Sequence, residues 1–232
     1  MSFEVHEITK EYGEGSSRTT ALAGVSFAAR GAEFVSIVGP SGCGKTTLLK
    51  IVAGLIAPSS GRISFNGGAA TKKLRTSLVF QDHGLLPWYD VLENVALGLR
   101  FQSGDRVAAR EQARHFIVQV GLERFLHHHP HELSIGMRQR VGIARAFVAD
   151  PVILLVDEPF GSLHAQTKLV LQQELLRIWQ EHRKLVVHVT HDIEEAILLS
   201  DRIVVMSGRP GRIREEIAVP FPRPRDLDVL GT

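Results

Sequence analysis

The segment Gly39-Pro-Ser-Gly-Cys-Gly-Lys-Thr46 has the spacing G-x-x-x-x-G-K-[ST], which suits the holding of phosphate. Glycines let such a loop close with its backbone N–H groups turned inward. The helix expected next aims its positive dipole end at the same point, and Lys45 adds a full charge. Gly39, Pro40, Ser41, Gly42, Cys43, Gly44, Lys45, Thr46 and Thr47 are therefore the expected nucleotide-binding residues, with Thr46 placed to ligate Mg2+. Far along the chain, Val152-Ile-Leu-Leu-Val-Asp157-Glu158 is an apolar run that ends in two carboxylates. Asp157 suits support of a metal, and Glu158 suits polarising a water for in-line attack on a terminal phosphate. A further apolar run, Leu185-Val-Val-His-Val-Thr190, is followed by His191, which can hydrogen-bond a phosphate oxygen or that water. Cys43 lies where thiols become reactive, so bound nucleotide is expected to shield it from alkylation; the plainer reading is a small loop residue.

These residues need a sheet edge to gather them. Glu33-Phe-Val-Ser-Ile-Val38 reads as a buried strand and Thr47-Leu-Leu-Lys-Ile-Val-Ala-Gly54 as the helix after it. Residues 152–157, 166–182, 185–190, 192–200 and 202–206 alternate strand, helix, strand, helix, strand, the pattern of a parallel α/β sheet. Ahead of the glycine loop, Phe3–Ile8 and Gly24–Ala28 flank a Gly/Ser turn and suggest an antiparallel β portion, and 62–65 and 77–80 are further strands. Residues 91–148 carry helical periodicity. The expected architecture is an α/β P-loop NTPase core with an N-terminal antiparallel β portion and a helical insert. Core and β portion occupy 1–90 and 150–215, the insert 91–149, and a surface tail 216–232 that wanders beyond Pro220.

Composition narrows the function classes. A chain of 232 residues, 44% hydrophobic, can bury one large core. The formal charge of +2 arises from 27 basic and 25 acidic residues without a basic block, so nucleic acid is not an expected partner. Apolar runs fall far short of the roughly 20 residues that span a bilayer, no signal segment opens the chain, and a lone cysteine suits a reducing compartment. His127-His-His-Pro-His131 reads as a solvated loop rather than a metal site, and Arg138, Arg140 and Arg145 as outward or capping residues.

With those residues in place, the chain resembles the ATP-binding subunits of ABC transporters over nearly its whole length. The resemblance implies that Tyr12 stacks on adenine and that Gln81 senses Mg2+ and the membrane partner, with His191 as the switch histidine. Leu133-Ser-Ile-Gly-Met137 stands where the family has its LSGGQ-type signature. Ser134 and Gly136 are thereby expected to reach across a dimer to the γ-phosphate held by the other copy. The implied cofactors are ATP and Mg2+, and Thr46, Gln81 and Asp157 form the metal group. The implied partners are a second copy or homologous ATPase subunit, an integral-membrane permease and, indirectly, a periplasmic-type binding protein. The expected location is the cytoplasmic face of the membrane.

Two residues depart from the family pattern. Ile135 replaces the first signature glycine, and His164 replaces the usual aspartate in the loop after Glu158. Reduced turnover is one expectation; a heterodimer whose partner has an intact signature, or a weakly or non-hydrolysing nucleotide-gated regulatory subunit, are the others. Phe80-Gln-Asp-His-Gly-Leu-Leu-Pro-Trp-Tyr89 resembles importers of the nitrate, sulfonate and taurine type, as do Glu158-Pro-Phe-Gly161 and Pro222-Arg-Pro-Arg225. Leu85, Leu86 and Trp88 are expected to form an apolar groove for a short partner helix, or else to pack internally.

Overall fold

The computed structural model describes residues 2–66, 68–69, 76–82, 84–161, 163–223 and 225. Of the residues singled out above, His83, Ser162 and Pro224 lie outside the described set, as do 226–232. The chain runs through β1 (Ser2–Tyr12), β2 (Thr19–Arg30), β3 (Phe34–Val38), α1 (Lys45–Val52), β4 (Ser60–Phe65), β5 (Gly68–Ala69) and β6 (Thr76–Val79). Three helices follow: α2 (Val91–Ser103), α3 (Arg106–Gln119) and α4 (Ile135–Val148). Then come β7 (Ile153–Asp157), α5 (Ala165–His182), β8 (Leu185–Thr190), α6 (Ile193–Leu199), β9 (Arg202–Met206) and β10 (Ile213–Ala218).

Among the described residues, one sheet has the order β2-β1-β4-β5 and a second the order β10-β9-β3-β8-β7-β6. Pairing in the first is antiparallel, as the sequence suggests. In the second, β9, β3, β8, β7 and β6 are all parallel, and β10 joins antiparallel on the outside. The two α/β stretches thus share one sheet, with β6 from before the helical insert lying beside β7 from after it.

Period-two alternation sorts the core into two layers. On β7, Ile153 and Leu155 face the antiparallel sheet and α1, while Leu154 and Val156 face the helices. On β8, Leu185, Val187 and Val189 join the first layer and Val186 the second. Strands buried on both faces read as near-continuous apolar runs, which explains the sequences of β3, β7 and β8. Trp179 on α5, 1% exposed, packs edge-on against Phe34 of β3 at 5.6 Å between centroids and anchors the helical layer. Local capping sets the helix starts: Asp90, Ser134 and Asp192 each accept from a backbone N–H three residues on, opening α2, α4 and α6.

The C-terminal segment departs from expectation. Residues 216–218 belong to β10 rather than to the tail, because Ile213–Ala218 covers the otherwise open edge of β9. Nor do the described residues after Pro220, 221–223 and 225, wander. Arg225 is buried and donates to the carbonyls of Ile197, Ser200 and Phe221, while Arg223 donates to Leu199 O at 2.6 Å and places its guanidinium over the Trp179 ring. Cations at the carboxyl end of α6 meet carbonyls that the helix leaves unpaired. The prolines that suggest a free tail stand beside two arginines, Arg223 and Arg225, that are themselves held against α6.

A polar seam runs through the helical layer. Ser36 and His188 sit in register on β3 and β8, with Ser36 Oγ 2.9 Å from His188 Nδ1. His188 Nε2 lies 2.9 Å from Glu195 Oε1, off the line of a good hydrogen bond, and neither atom has another partner among the described residues. The other oxygen of Glu195 meets Lys168 Nζ at 3.2 Å and Gln172 Nε2 at 3.1 Å. Burial alone would raise the Glu195 pKa; the His188 interaction and then Lys168 outweigh it and hold the carboxyl below its ordinary 4.5. A depressed carboxylate contributes stability that is present above the unfolded value and lost as pH falls through the folded one. Melting temperature is therefore expected to drop below about pH 4.5, and Glu195→Gln to flatten that drop; unchanged acid profiles in the variant would refute the assignment.

Candidate functional site

The parallel strands deliver their carboxyl ends to one edge, and the loop between β3 and α1 occupies its centre. Gly44 stands at φ +103°, where an added Cβ would also lie 2.7 Å from Leu22 Cδ2, so a side chain is excluded on two counts. A cleft of about 420 Å³ opens over this loop, lined by Tyr12, Ala21, Ser41, Gly42, Gly44, Lys45, Thr46, Thr47, Gln81, Glu158 and Arg209. Most of the expected nucleotide residues thus share one concavity. Gly39 and Pro40 support it from below, their carbonyls accepting from Lys45 Nζ at 2.8 and 3.3 Å. Tyr12, 43% exposed at the end of β1, offers a ring face at the rim.

Cys43 differs from expectation. Its side chain is 1% exposed and packs in the core layer below the loop, because the turn closed by Cys43 N donating to Pro40 O points it inward. It serves the loop through packing, and the expected protection by nucleotide does not follow from a thiol already shielded.

On the far side of the cleft the two carboxylates have separate surroundings. Asp157 Oδ1 accepts from Thr46 Oγ1 at 2.9 Å. Burial holds the Asp157 carboxyl above the usual carboxylate range, with Glu158 adding to the shift while the Thr46 hydroxyl and Lys50 and Lys45 oppose it. Glu158 follows in a left-handed conformation, φ +42°, an uncommon posture for a residue with a side chain and one that turns it off the strand into the cleft. Its Oε1 lies 3.6 Å from Lys45 Nζ and its Oε2 2.9 Å from His191 Nδ1. Lys45, Glu158 and His191 therefore form a continuous chain beside the Thr46–Asp157 bond.

The helical part presents Ser134 as the N-cap of α4, its Oγ accepting from Met137 N at 3.3 Å. Ile135 is the first helical residue, without positive φ, and 45% exposed, so it is not strained there but does place an apolar branch at the helix entrance. Gly136 abuts α5, where an added Cβ would come 3.2 Å from Thr167 Cγ2. Arg138 braces the segment by donating to Leu133 O at 2.6 Å. His164 is the N-cap residue of α5 but makes no capping bond. Ser134 and Gly136 do not line the cleft of their own chain.

Gln81 sits at the other rim, in a loop tied down by Asn94 and Arg145. The buried Asn94 amide exchanges hydrogen bonds with Leu86 N and O and donates to Tyr89 O and Asp90 O, and Arg145 donates to Gly84 O at 2.8 Å. Of the expected groove residues, Leu86 lines a groove of about 360 Å³ together with Phe80, Leu97, Phe101 and Arg145. Leu85 packs against the helical core, and Trp88 is 67% exposed outside the groove. His127 faces Asp90, and His129 Nδ1 lies 3.6 Å from Glu132. Sequence reasoning missed Arg209 in the cleft and Phe101, 85% exposed, at the groove; neither belongs to a motif.

Comparison with known proteins settles the family. The ABC transporter family profile matches residues 22–161, which includes the glycine loop, Gln81, the segment Leu133–Met137 and both carboxylates. The chain belongs to the ABC transporter family. It is 43% identical over 235 residues to the aliphatic sulfonates import ATP-binding protein SsuB of Bacillus licheniformis, covering all of this chain and 91% of that one. It is 44% identical over 219 residues to the taurine import ATP-binding protein TauB of Burkholderia thailandensis, covering 94% and 84% of the two chains. The dimeric post-hydrolysis structure of the ATP-binding cassette MJ0796, bound to ADP and Pi, superposes with a TM-score of 0.83 at 33% identity, over 95% of this chain and all of that one. The fold is accordingly the ABC ATPase cassette. Cys43 is expected to resist a bulky thiol reagent equally with and without MgATP and to label only on unfolding; rapid labelling of the folded protein would contradict the inward placement.

Proposed function

We propose that this chain is the ATP-hydrolysing subunit of an ABC importer. Two copies close around MgATP, and hydrolysis drives a membrane permease that admits a small anion of the sulfonate, taurine or nitrate kind. The observation that carries the reading is the chain Lys45–Glu158–His191 lying beside the Thr46–Asp157 bond at one cleft of about 420 Å³. Lys45 and the backbone of the glycine loop hold the β- and γ-phosphates, and Tyr12 stacks on the base. Glu158 orients the attacking water, with His191 fixing the Glu158 carboxylate and reaching the γ-phosphate. The donor set fits Mg2+, which takes few protein ligands and keeps water and phosphate oxygens: the Thr46 hydroxyl and the Gln81 side chain border the cleft, and Asp157 stands behind Thr46. When bound, the ion offsets charge that builds on the terminal phosphates.

Ser134 and Gly136 stand outside their own chain's cleft, at a helix N-terminus suited to an anion, and serve the site of the second copy. The names of the SsuB and TauB relatives, import ATP-binding proteins, support the importer reading and the sulfonate class of cargo. Among the described residues no helix is long and apolar enough to cross a membrane, so attachment to the cytoplasmic face runs through the permease. The Phe80–Leu86–Phe101 groove receives a short helix of that permease. A periplasmic-type binding protein supplies the cargo from the other side. The non-hydrolysing alternative is disfavoured because Glu158 is present and held by two partners.

Glu158→Gln is expected to cut ATP turnover about a hundredfold or more while the variant still binds MgATP; undiminished turnover would remove Glu158 from its role. Ile135→Gly clears the helix entrance, and His164→Asp restores a capping carboxylate at α5. Each is expected to raise turnover, and no gain from either or from the pair would show that these departures do not limit the rate.

A further inference from the structure

Arg209 lines the nucleotide cleft from a loop that no phosphate-binding motif includes. It sits in the turn between β9 and β10, and that turn is fixed at several points. Gly211 N donates to Ala21 O at 2.9 Å and Gly211 O accepts from Ala23 N at 3.0 Å. Ser207 closes the turn from within: its N–H donates to Arg212 O at 2.8 Å and its hydroxyl accepts from Arg212 N at 3.0 Å. The arginine is thus presented from a rigid mount. Among the described residues its guanidinium has no carboxylate or carbonyl partner, whereas Arg202 and Arg223 are each paired with acids. A cation left unpaired in a cleft lined by Lys45 and inward N–H groups increases the positive potential there, which an anionic ligand relieves.

Strand order says which part of the ligand it meets. Along the carboxyl edge the sequence is β9, β3, β8, β7, β6. Arg209 therefore enters on one side of the glycine loop, while His191, Glu158 and Gln81 stand at the ends of β8, β7 and β6 on the other. The reacting γ-phosphate belongs with Glu158 and His191. Resting on the nucleotide-binding reading above, we propose that Arg209 is a further nucleotide-binding residue that holds the α-phosphate, on the adenosine side and away from the bond that breaks. Such a contact is the same in ATP and in ADP, and it removes or adds binding without favouring the transition state.

Titration of the full chain with MgATP and with MgADP tests this, using wild type, Arg209→Ala and Arg209→Lys. Loss of one charge-assisted hydrogen bond is expected to weaken both nucleotides by about tenfold in the alanine variant, with the lysine variant recovering part of the loss. Unchanged melting of the unliganded alanine variant establishes that the fold is intact. Equal affinities in wild type and Arg209→Ala would overturn the assignment, as would a loss confined to ATP, which would place the guanidinium at the γ-phosphate instead. Failure of wild type itself to bind MgATP would overturn the nucleotide reading as a whole, so the two failures are distinguishable.

Discussion

The hydrogen bond from the Thr46 hydroxyl to Asp157, 2.9 Å long and spanning 111 positions of sequence, is the contact on which the site depends. It joins the start of α1 to the end of β7 and fixes the depth at which the glycine loop sits against the acidic edge. It forms because β3 and β7 both pair with β8 in parallel register, so that Val38 ends opposite Thr190 and Asp157 opposite the preceding Val189. A slip of one residue on β7 would turn Asp157 to the opposite face and remove the bond. The buried alternation of Ile153, Leu154, Leu155 and Val156 opposes that slip on both faces at once. Packing in the core is what makes the polar geometry at the edge reproducible.

Much of this was legible in the residues themselves. The glycine loop, the strand ending in Asp157-Glu158 and the strand before His191 declare both chemistry and topology, because buried parallel strands are uniformly apolar and their ends alone are polar. What escaped notice depends on contacts between distant segments. Ile213–Ala218 is mostly exposed and charged, so its strand character comes from pairing with β9 rather than from any buried stripe. Arg223 and Arg225 lie among prolines, a composition that suggests a free tail, and their partners, Asp201, Trp179 and the carbonyls at the end of α6, all come from earlier in the chain and are not signalled by the local sequence. Cys43 sits in a phosphate-binding motif, yet the loop's curvature turns its sulfur into the core. The direction of a side chain in a tight turn is set by backbone angles that residue type does not encode.

The two departures from the family pattern occupy similar positions in the fold. Ile135 opens α4 and His164 stands at the cap of α5, so each alters a helix entrance on the exterior of the chain. Neither intrudes on the chain Lys45–Glu158–His191, and neither disturbs a core layer. Their effect falls on what approaches from outside, which is consistent with a site completed by a second copy. The polar seam Ser36–His188–Glu195–Lys168 connects the same neighbourhood internally, since Ser36 lies two residues inside Val38 and Lys168 lies in the first turn of α5. Residues of β3, β8, α5 and α6 are thus tied together by one group of largely buried polar contacts.

Gly211 lies outside every motif, but an added Cβ would fall 2.1 Å from the Cys43 carbonyl oxygen and 2.7 Å from Met206 Cε. Even alanine cannot be accepted there unless the backbone of the phosphate loop yields. The β9–β10 hairpin and that loop therefore form one mechanical piece, and the identity of residue 211 is dictated by a segment some 170 positions earlier. Mutational drift in a peripheral turn would be judged by its imprint on the nucleotide cradle, an inheritance constraint that a catalogue of motif residues would never reveal.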